Sequence, residues 1–186
     1  PAGAKPRYYI NGLFELKKAY RDFNAQQEKE WQAAHEDGKP YKEQKLPEAV
    51  ICSGERDSLC CYSMGYHPLW FNSETYQLSA DEYKEIMKYV DVLYNIPDID
   101  ETGKRKGREL ALRFIDIHTA WLPDKLQTYK DNRGKPRKDL RDWLEIHSER
   151  KDFRNLLKVA MPAKFWVQYA NKDGKPKTEV DTACLY

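Results

Sequence analysis

Long apolar runs and paired cysteines are both missing from this sequence. No apolar stretch in its 186 residues approaches the roughly 18 residues that a membrane-spanning helix needs, so we expect no contact with a membrane. The four cysteines form no CxxC pair, which argues against a zinc ribbon, and they are too few for a disulfide framework in a chain of this length. We therefore expect a reducing, cytoplasmic compartment.

A strong net charge is also missing, because 32 basic residues against 30 acidic residues leave only +2. Residues 1–7 contain neither an initiator Met nor a signal-type apolar segment, so we expect the chain to be a piece of a longer protein. Its 13% aromatic and 40% hydrophobic residues are enough for one domain with its own core. Local clusters of charge, rather than the total, must therefore indicate the partner.

Short apolar segments alternate with helical segments along the middle of the chain. This alternation is typical of βαβ units and predicts an α/β fold with a mainly parallel, four-stranded sheet and flanking helices. Ser79 and Glu82 have the spacing of a capping box at the start of one helix. Strands are expected at 49–52, 68–71, 90–96 and 115–122, and helices at 57–64, 80–89 and 104–114.

The two ends of the chain differ from this middle part, which we assign to one domain at residues 46–146. Residues 1–45 are highly polar, and they form an N-terminal helical extension that serves either as a linker or as a brace on the sheet. Residues 147–186 are expected to form a helix and a hairpin that lead to the next domain of the parent protein. The predicted terminal elements are helices at 13–35 and 153–160 and a hairpin at 165–180.

Three polar clusters follow the predicted strands, at the edge where parallel sheets bind ligands. Asp98 and Asp100 come directly after the third strand. Residues two apart in an extended segment face the same way, so both carboxylates can face one Mg²⁺ or Mn²⁺ ion. The other clusters are 53–57 and 138–142. Each of the three also has a plain structural interpretation, as an acidic turn or a helix cap.

The order of these clusters resembles the TOPRIM domain, the catalytic module of topoisomerases, bacterial primases and phage-type primase-helicases. The resemblance covers about residues 47–145. One motif of that family is Asp-x-Asp followed by a Gly-led helix, and another is Glu-Gly-x-x-Asp. The residues that match are Gly54, Glu55 and Asp57 of the Glu-Gly motif, Asp98, Asp100, Glu101 and Gly103 of the Asp-x-Asp motif, and Leu122-Pro123 followed by Lys138-Asp139 further on.

The resemblance implies a TOPRIM-like (Rossmann-like) fold and a metal-dependent phosphoryl transfer. By analogy with the family, Asp98 and Asp100 would hold Mg²⁺ or Mn²⁺, and Asp139 is a third candidate ligand. Ions of this kind clamp the attacking and leaving oxygens of an in-line displacement. Asp98 and Asp100 are therefore the first residues to test.

One position departs from the family. The glutamate that precedes the Gly of the Glu-Gly motif is Ser53 here, and a serine cannot act as a carboxylate base or bridge metal ions. Glu55, two residues along, is the substitute acid or base. Asp57 is the second catalytic candidate, although we expect it mainly to organise the turn.

A basic loop lies between Tyr129 and Arg141, with six basic residues against two acidic ones. This excess can meet a phosphate backbone, and Tyr129 and Trp143 can stack on bases. The alternative is a solvated surface loop beside aromatic residues of the core. The candidate nucleic-acid or phosphate-binding residues are Arg56, Lys104, Lys106, Lys135, Arg137 and Lys138.

These residues predict the TOPRIM part of a primase or primase-helicase-like replication protein of a phage or mobile element. The parent would make RNA primers from nucleoside triphosphates on single-stranded DNA. Its zinc-binding and helicase domains must lie elsewhere, because this chain has no CxxC pair and no Walker A loop. We expect weak or no primer synthesis from this piece alone. Two alternatives stay open: a degenerate TOPRIM module that binds nucleic acid or protein without catalysis, and a TOPRIM-type nuclease.

Overall fold

The computed structural model of the chain describes residues 9–35, 39–72 and 76–165. Six helices and six strands alternate along most of this length. The helices are α1 (Leu13–Ala34), α2 (Glu55–Ser63), α3 (Ala80–Ile86), α4 (Glu101–Arg113), α5 (Leu140–Leu144) and α6 (Arg150–Lys158), with a 3₁₀ turn at Asp124–Thr128. The strands are β1 (Ile10–Asn11), β2 (Leu46–Cys52), β3 (Pro68–Phe71), β4 (Val90–Ile96), β5 (His118–Thr119) and β6 (Met161–Pro162).

The strands form one sheet in the order β1-β3-β2-β4-β5-β6. The four central strands are parallel, whereas β1 and β6 run antiparallel at the two edges. The predicted α/β fold with a mainly parallel sheet is therefore confirmed. The sequence did not indicate the two edge strands, because a two-residue strand has no measurable alternation.

The longest predicted strand is confirmed with its predicted bounds, since β4 spans Val90–Ile96. The predicted strand at 115–122 was wrong in length, because only His118–Thr119 pair with β4. The amide of Ile117 donates to the carbonyl of Phe114 at 2.9 Å, so the chain turns at the point where a longer strand would run. The side chain of Ile115 is 44% exposed in this turn. The alternation of apolar and polar residues at 115–117 therefore belongs to a tight turn and not to a long strand.

Helix starts follow local capping chemistry. The Ser79 hydroxyl accepts the amide of Glu82 at 3.2 Å, and the Glu82 carboxylate accepts the amide of Ser79 at 2.8 Å, which confirms the capping box. Asp100 caps α4 and moves its start to Glu101, three residues before the predicted one. The predicted hairpin at 165–180 lies outside the described residues, apart from Phe165.

Two hydrophobic clusters cover the two faces of the sheet. On one face α2, α5 and α6 pack over β2 and β4, and on the other face α1, α3 and α4 do so. Leu16 of α1 is only 1% exposed, so this N-terminal helix packs on the sheet. The buried Asn24 of α1 also accepts the Tyr41 hydroxyl at 2.7 Å, which ties the helix to the segment before β2. None of the helices in the described ranges is long and apolar enough to cross a membrane.

Candidate metal and phosphate site

The hydroxyl of Ser53 joins the ends of the two central strands. It donates to the carbonyl of Ile96 at 3.3 Å and accepts the amide of Asp98 at 3.2 Å. Ser53 follows β2, and Ile96 and Asp98 lie at the end of β4. The residue that replaces the family glutamate therefore positions the backbone of the Asp-x-Asp segment.

Asp98 and Asp100 share a single cation, the ammonium group of Lys138. The Lys138 Nζ atom lies 2.5 Å from Asp100 Oδ2 and 3.4 Å from Asp98 Oδ2. The hydrogen bond to Asp100 raises the pKa of Lys138. Burial would raise the pKa of Asp100, but Lys138 and the Gly103 amide together lower it. The other oxygen of Asp98, Oδ1, is buried and has no hydrogen-bond partner among the described residues.

The loop before α5 presents Lys138 to this site. Its carbonyl accepts the amide of Ile99 at 3.0 Å, and its own amide donates to Asp142 Oδ2 at 2.8 Å. Gln127 adds a second tie, because its side-chain amide donates to the carbonyl of Ile99 at 2.8 Å. The backbone on both sides of the salt bridge is thus fixed.

A second group of carboxylates lies between α2 and α5. Burial, together with the charges of Asp139 and Asp98, raises the pKa of Asp57 to about 7. One oxygen of Asp57 accepts the amide of Arg141 at 3.0 Å. Asp139 caps α5 by accepting the amide of Asp142 at 2.7 Å, and burial raises its pKa as well. Three negative groups therefore crowd together with too few donors.

A cleft of about 910 Å³ starts at the Asp-x-Asp segment and runs along α4. Its lining includes Ser53, Asp98, Asp100 and Lys138, and also the aromatic residues Phe71 and Tyr76. Gly103 stands at the carboxylate end, where a Cβ atom would lie 2.3 Å from the carbonyl oxygen of Asp98. Only glycine therefore allows the first turn of α4 to pack against the Asp98 backbone.

Solved structures similar to this chain include primase catalytic cores. The chain superposes on the DnaG catalytic core with a TM-score of 0.58 at 14% identity, on a DnaG primase catalytic domain bound to single-stranded DNA with 0.56 at 15%, and on the E. coli primase catalytic core with 0.55 at 15%. Each alignment covers 100% of this chain and 50% of the other one, so the chain spans about half the length of the primase chains it matches. The chain has a TOPRIM-like fold.

Sequence comparison alone does not reach this result. No model of a known protein family matches the chain, and no curated protein is similar enough to match it. At 14% to 15% identity the structural likeness concerns the fold. What the TOPRIM-like fold does in this chain must be argued from its own side chains.

The fit of a divalent ion to the TOPRIM-like fold rests on two carboxylates. Hard cations such as Mg²⁺ are often held by one or two carboxylates, with water and phosphate as the other ligands. Asp98 offers a buried oxygen without a donor, and the Lys138 ammonium already stands between Asp98 and Asp100 as a cation. Within the described ranges, no group of three or more His, Cys, Asp or Glu side chains is arranged to hold a metal. The pair fits an ion whose remaining ligands come from water or substrate.

The two catalytic candidates differ in placement. Glu55 is exposed at the first turn of α2, and it is not among the residues that line the cleft. Asp57 is buried and binds the backbone of α5 through Arg141. Glu55 therefore does not join Ser53 in the cleft, and Asp57 makes the structural contact that we expected of it.

The six basic candidates fall into three groups. Lys106 and Lys138 line the cleft. Lys104 is paired with Asp124 at 2.6 Å, and Arg137 with Glu145 at 2.5 Å. Arg56 and Lys135 are exposed. The structure thus brings two of the six into the cleft, and Lys138 alone of them pairs with Asp98 and Asp100 within the described residues.

Asp131 fixes the backbone of the loop between Tyr129 and Arg141 through hydrogen bonds. Asp131 Oδ1 accepts the amides of Arg133 and Lys135, both at 2.8 Å. Tyr129 is exposed beside it, which leaves its ring accessible for a base. The interpretation of Trp143 as a stacking residue was wrong, since its side chain is 6% exposed and belongs to the core. Trp143 lies in α5 next to the buried Leu144, and this apolar position explains its burial.

The sequence analysis missed one residue of the cleft, Asn95. It lies in β4 opposite Ile51 of β2 and lines the cleft behind the carboxylates. A polar amide inside the otherwise apolar end of a buried strand was the available signal. The apolar pattern of 90–96 predicts the strand, and Asn95 is a polar exception within that pattern.

Proposed function

We propose that this chain is the metal-dependent nucleotidyl-transfer module of a primase or primase-helicase-like DNA replication protein that works in the cytoplasm. The observation that supports it is the buried, unpartnered Oδ1 atom of Asp98 beside Asp100, at the carboxyl edge of a TOPRIM-like sheet. A buried carboxylate oxygen without a donor is costly unless something else binds it. A divalent ion is the simplest partner for it.

In this proposal Asp98 and Asp100 hold Mg²⁺ or Mn²⁺, and Asp139 is the third candidate ligand. When bound, the ion supplies charge neutralisation at the phosphates of a nucleoside triphosphate and orients an in-line displacement. Lys138 would then release the carboxylates and bind a phosphate oxygen with its ammonium group. Glu55 and Asp57 remain the acid–base candidates.

The template in this proposal is single-stranded DNA. One structure with the same fold is a DnaG catalytic domain bound to single-stranded DNA. In this chain the phosphate-binding candidates are the cleft residues Lys106 and Lys138 and the exposed Arg56 and Lys135. Arg137 and Lys104 would first have to leave their carboxylate partners.

We keep the proposed division into residues 1–45, 46–146 and 147–186. Zinc-binding and helicase domains of the parent would supply template reading and unwinding. The primer-making activity would belong to the whole parent, because this chain covers about half of the primase cores that it resembles. We therefore choose a test that needs only the chain itself.

The first experiment is a calorimetric Mn²⁺ titration of the chain beside the double variant Asp98→Asn/Asp100→Asn. We expect the wild type to bind Mn²⁺ and the double variant to lose at least tenfold in affinity. Asp91→Asn is the matched control, because Asp91 is an exposed aspartate at the other end of β4. Equal Mn²⁺ binding by all three proteins, with and without ATP, would contradict the proposal.

A second candidate function is a degenerate TOPRIM module that binds nucleic acid or protein without catalysis. Ser53 favours it, because a hydroxyl occupies the position of the family glutamate and Glu55 lies outside the cleft. Ser53→Glu tests this alternative. If it adds Mn²⁺ affinity and allows primer synthesis in the parent, while the wild-type parent makes no primers, the degenerate module is correct.

The nuclease alternative uses the same carboxylates on a different substrate. It predicts cleavage of plain single-stranded or double-stranded DNA in Mn²⁺, without nucleoside triphosphates. Asp98→Asn/Asp100→Asn should abolish that cleavage, and Asp91→Asn should not. Intact DNA after prolonged incubation with the wild type would exclude the nuclease.

A further inference from the structure

The cleft beside α4 extends well beyond the carboxylates, and its floor contains an unpartnered amide. Asn95 is 5% exposed and lines the cleft. Its side chain makes no hydrogen bond within residues 9–35, 39–72 and 76–165. Thr119, its register partner on β5, is also buried, and its hydroxyl has no partner in the same part of the chain.

An amide on the wall of a cleft can exchange its hydrogen bonds to water for hydrogen bonds to a ligand. Leucine or valine in its place would complete the apolar face of β4 but would offer a ligand no hydrogen bond. Ile51, its register partner on β2, is apolar and buried. Position 95 therefore presents to the cleft a donor and an acceptor that no other described side chain uses.

The rest of the cleft matches the size and chemistry of a nucleotide. Its volume of about 910 Å³ lies within the usual range for small-molecule sites. Phe71 and Tyr76 also line the cleft, and their rings stack on each other with centroids 4.5 Å apart. Aromatic side chains of this kind bind bases by stacking.

The position of Asn95 fits a base whose phosphates lie at the Asp-x-Asp segment. Asn95 precedes Asp98 by three residues, about 10 Å along an extended chain, which a nucleoside phosphate can span. The side-chain amide presents one donor next to one acceptor. This pair matches the N7 and N6 groups of adenine, which asparagine commonly binds with two hydrogen bonds.

We propose that Asn95 binds the adenine base of a nucleotide substrate, in a base pocket formed by Asn95, Phe71 and Tyr76. This inference rests on the proposed function, because it takes a nucleoside triphosphate as the substrate. The base pocket is nevertheless separate from the carboxylates. A nucleoside without phosphate, in the absence of metal, therefore tests it independently.

The experiment measures adenosine and purine riboside binding to the whole chain by NMR titration. Purine riboside lacks the exocyclic amino group of adenine. We expect the wild type to bind adenosine about tenfold tighter than purine riboside. Asn95→Leu should lose this preference, because leucine offers adenine no hydrogen bond.

A readout without any substitution covers the case in which Asn95→Leu fails to fold. The side-chain amide signal of Asn95 should shift when adenosine is added. The corresponding signal of Asn24 is the internal control and should stay in place, because its amide already donates to two carbonyl oxygens and its oxygen accepts two donors. An unchanged Asn95 signal at saturating adenosine, or equal binding of the two nucleosides, would overturn the inference.

The double variant Asp98→Asn/Asp100→Asn separates this inference from the proposed function. It should lose Mn²⁺ binding and still prefer adenosine over purine riboside. If wild-type Mn²⁺ binding fails while the adenosine preference is present, the base pocket stands and the catalytic proposal falls. If Mn²⁺ binds at the carboxylates and adenosine does not bind, only the base pocket is wrong.

Discussion

The first turns of α5 and α2 each hold a buried aspartate, but in opposite electrostatic surroundings. Asp142 and Asp57 are each 5% exposed. Asp142 accepts the amide of Lys138 at 2.8 Å and the guanidinium of Arg141 at 3.3 Å. Burial alone would raise its pKa, but these donors outweigh burial and lower it. Asp142 is thus a carboxylate whose charge the fold satisfies.

Asp57 receives one backbone donor and lies near two other carboxylates, so that its pKa rises to about 7. Asp57 and Asp142 are equally shielded from solvent as residues, and they differ in their partners. The comparison teaches that the acidic residues at this edge of the sheet divide into those that nearby donors satisfy and those that are short of donors. Asp57 is short of donors, and so is the Oδ1 atom of Asp98, which has no hydrogen-bond partner among the described residues.

The largest expected effect comes from removing the charge of Asp57. Between about pH 4 and pH 7 the folded chain keeps the Asp57 proton more tightly than the unfolded chain, so the free energy of unfolding falls as pH rises through this window. The contribution of Asp57 therefore makes the free energy of unfolding about 4 kcal/mol lower above pH 7 than below pH 4. Asp57→Asn should therefore match the wild type near pH 4 and exceed its stability at pH 8.

Urea denaturation in a chelator at both pH values measures this difference. Asp91→Asn is the control, because Asp91 is exposed and its removal should leave the pH dependence in place. If Asp57→Asn is no more stable than the wild type at pH 8, Asp57 is not a charge that the fold leaves uncompensated.

The opposite substitution is Asp142→Asn, which should destabilise the chain by about 3 kcal/mol because it leaves two arginines and a backbone amide short of a charged partner. The same denaturation assay at pH 7 measures it. Asp116→Asn, which breaks the exposed pair with Lys164, is the control and should cost less than 1 kcal/mol. Equal losses of unfolding free energy from Asp142→Asn and Asp116→Asn would mean that Asp142 contributes no more to stability than an exposed ion pair.

A smaller effect is expected from Lys138→Met. The Lys138 ammonium neutralises Asp98 and Asp100, so an arriving ion must displace it. Removing the ammonium should tighten Mn²⁺ binding by about tenfold, equivalent to about 1.4 kcal/mol, in the calorimetric assay. Lys130→Met, in the same loop but exposed, should leave the Mn²⁺ affinity unchanged. Weaker binding by Lys138→Met would show that the lysine supports the ion instead of competing with it.

The smallest effect should come from Ser53→Ala, which removes the hydroxyl between Ile96 and Asp98. We expect a loss of about 1 kcal/mol in unfolding free energy, the value of an ordinary hydrogen bond. Ser63→Ala removes an exposed hydroxyl that bonds only within α2, and serves as the control. A loss above 3 kcal/mol would mean that Ser53 holds far more of the site than two hydrogen bonds.

Much of the central fold could be predicted from the sequence, because local signals and tertiary packing agree there. β4 is a mainly apolar segment with a hydrophobic cluster on each face of the sheet, and Ser79 with Glu82 fixes the start of α3. The edge strands β1 and β6 could not be predicted, since their two residues are strands only through their partners. The turn at 115–117 was missed because Ile115, Asp116 and Ile117 alternate apolar and polar residues as a strand does, although in the structure Ile115 is exposed and Ile117 is buried.

The candidate site could be predicted in its residues better than in its contacts. The spacing of Asp98 and Asp100 after a strand predicted a site at this edge of the sheet, and both residues line the cleft there. It could not indicate that Lys138, 38 residues after Asp100, pairs with both, because that contact depends on how the loop before α5 folds back on Ile99. Glu55 was expected on the side of Ser53, but the helix begins at Glu55 and turns its side chain to solvent.

The short ladders of β1 and β6 determine how this domain responds to mechanical force. Tension applied through the residues before β1 and after β6 acts across the sheet, on two outermost ladders of two residue pairs each. Such ladders open one pair at a time, whereas the β2–β4 ladder joins six residue pairs. Both edges should therefore peel away at low force while the parallel centre stays closed, so the carboxylates that follow β4 would keep their place after the edge strands have detached.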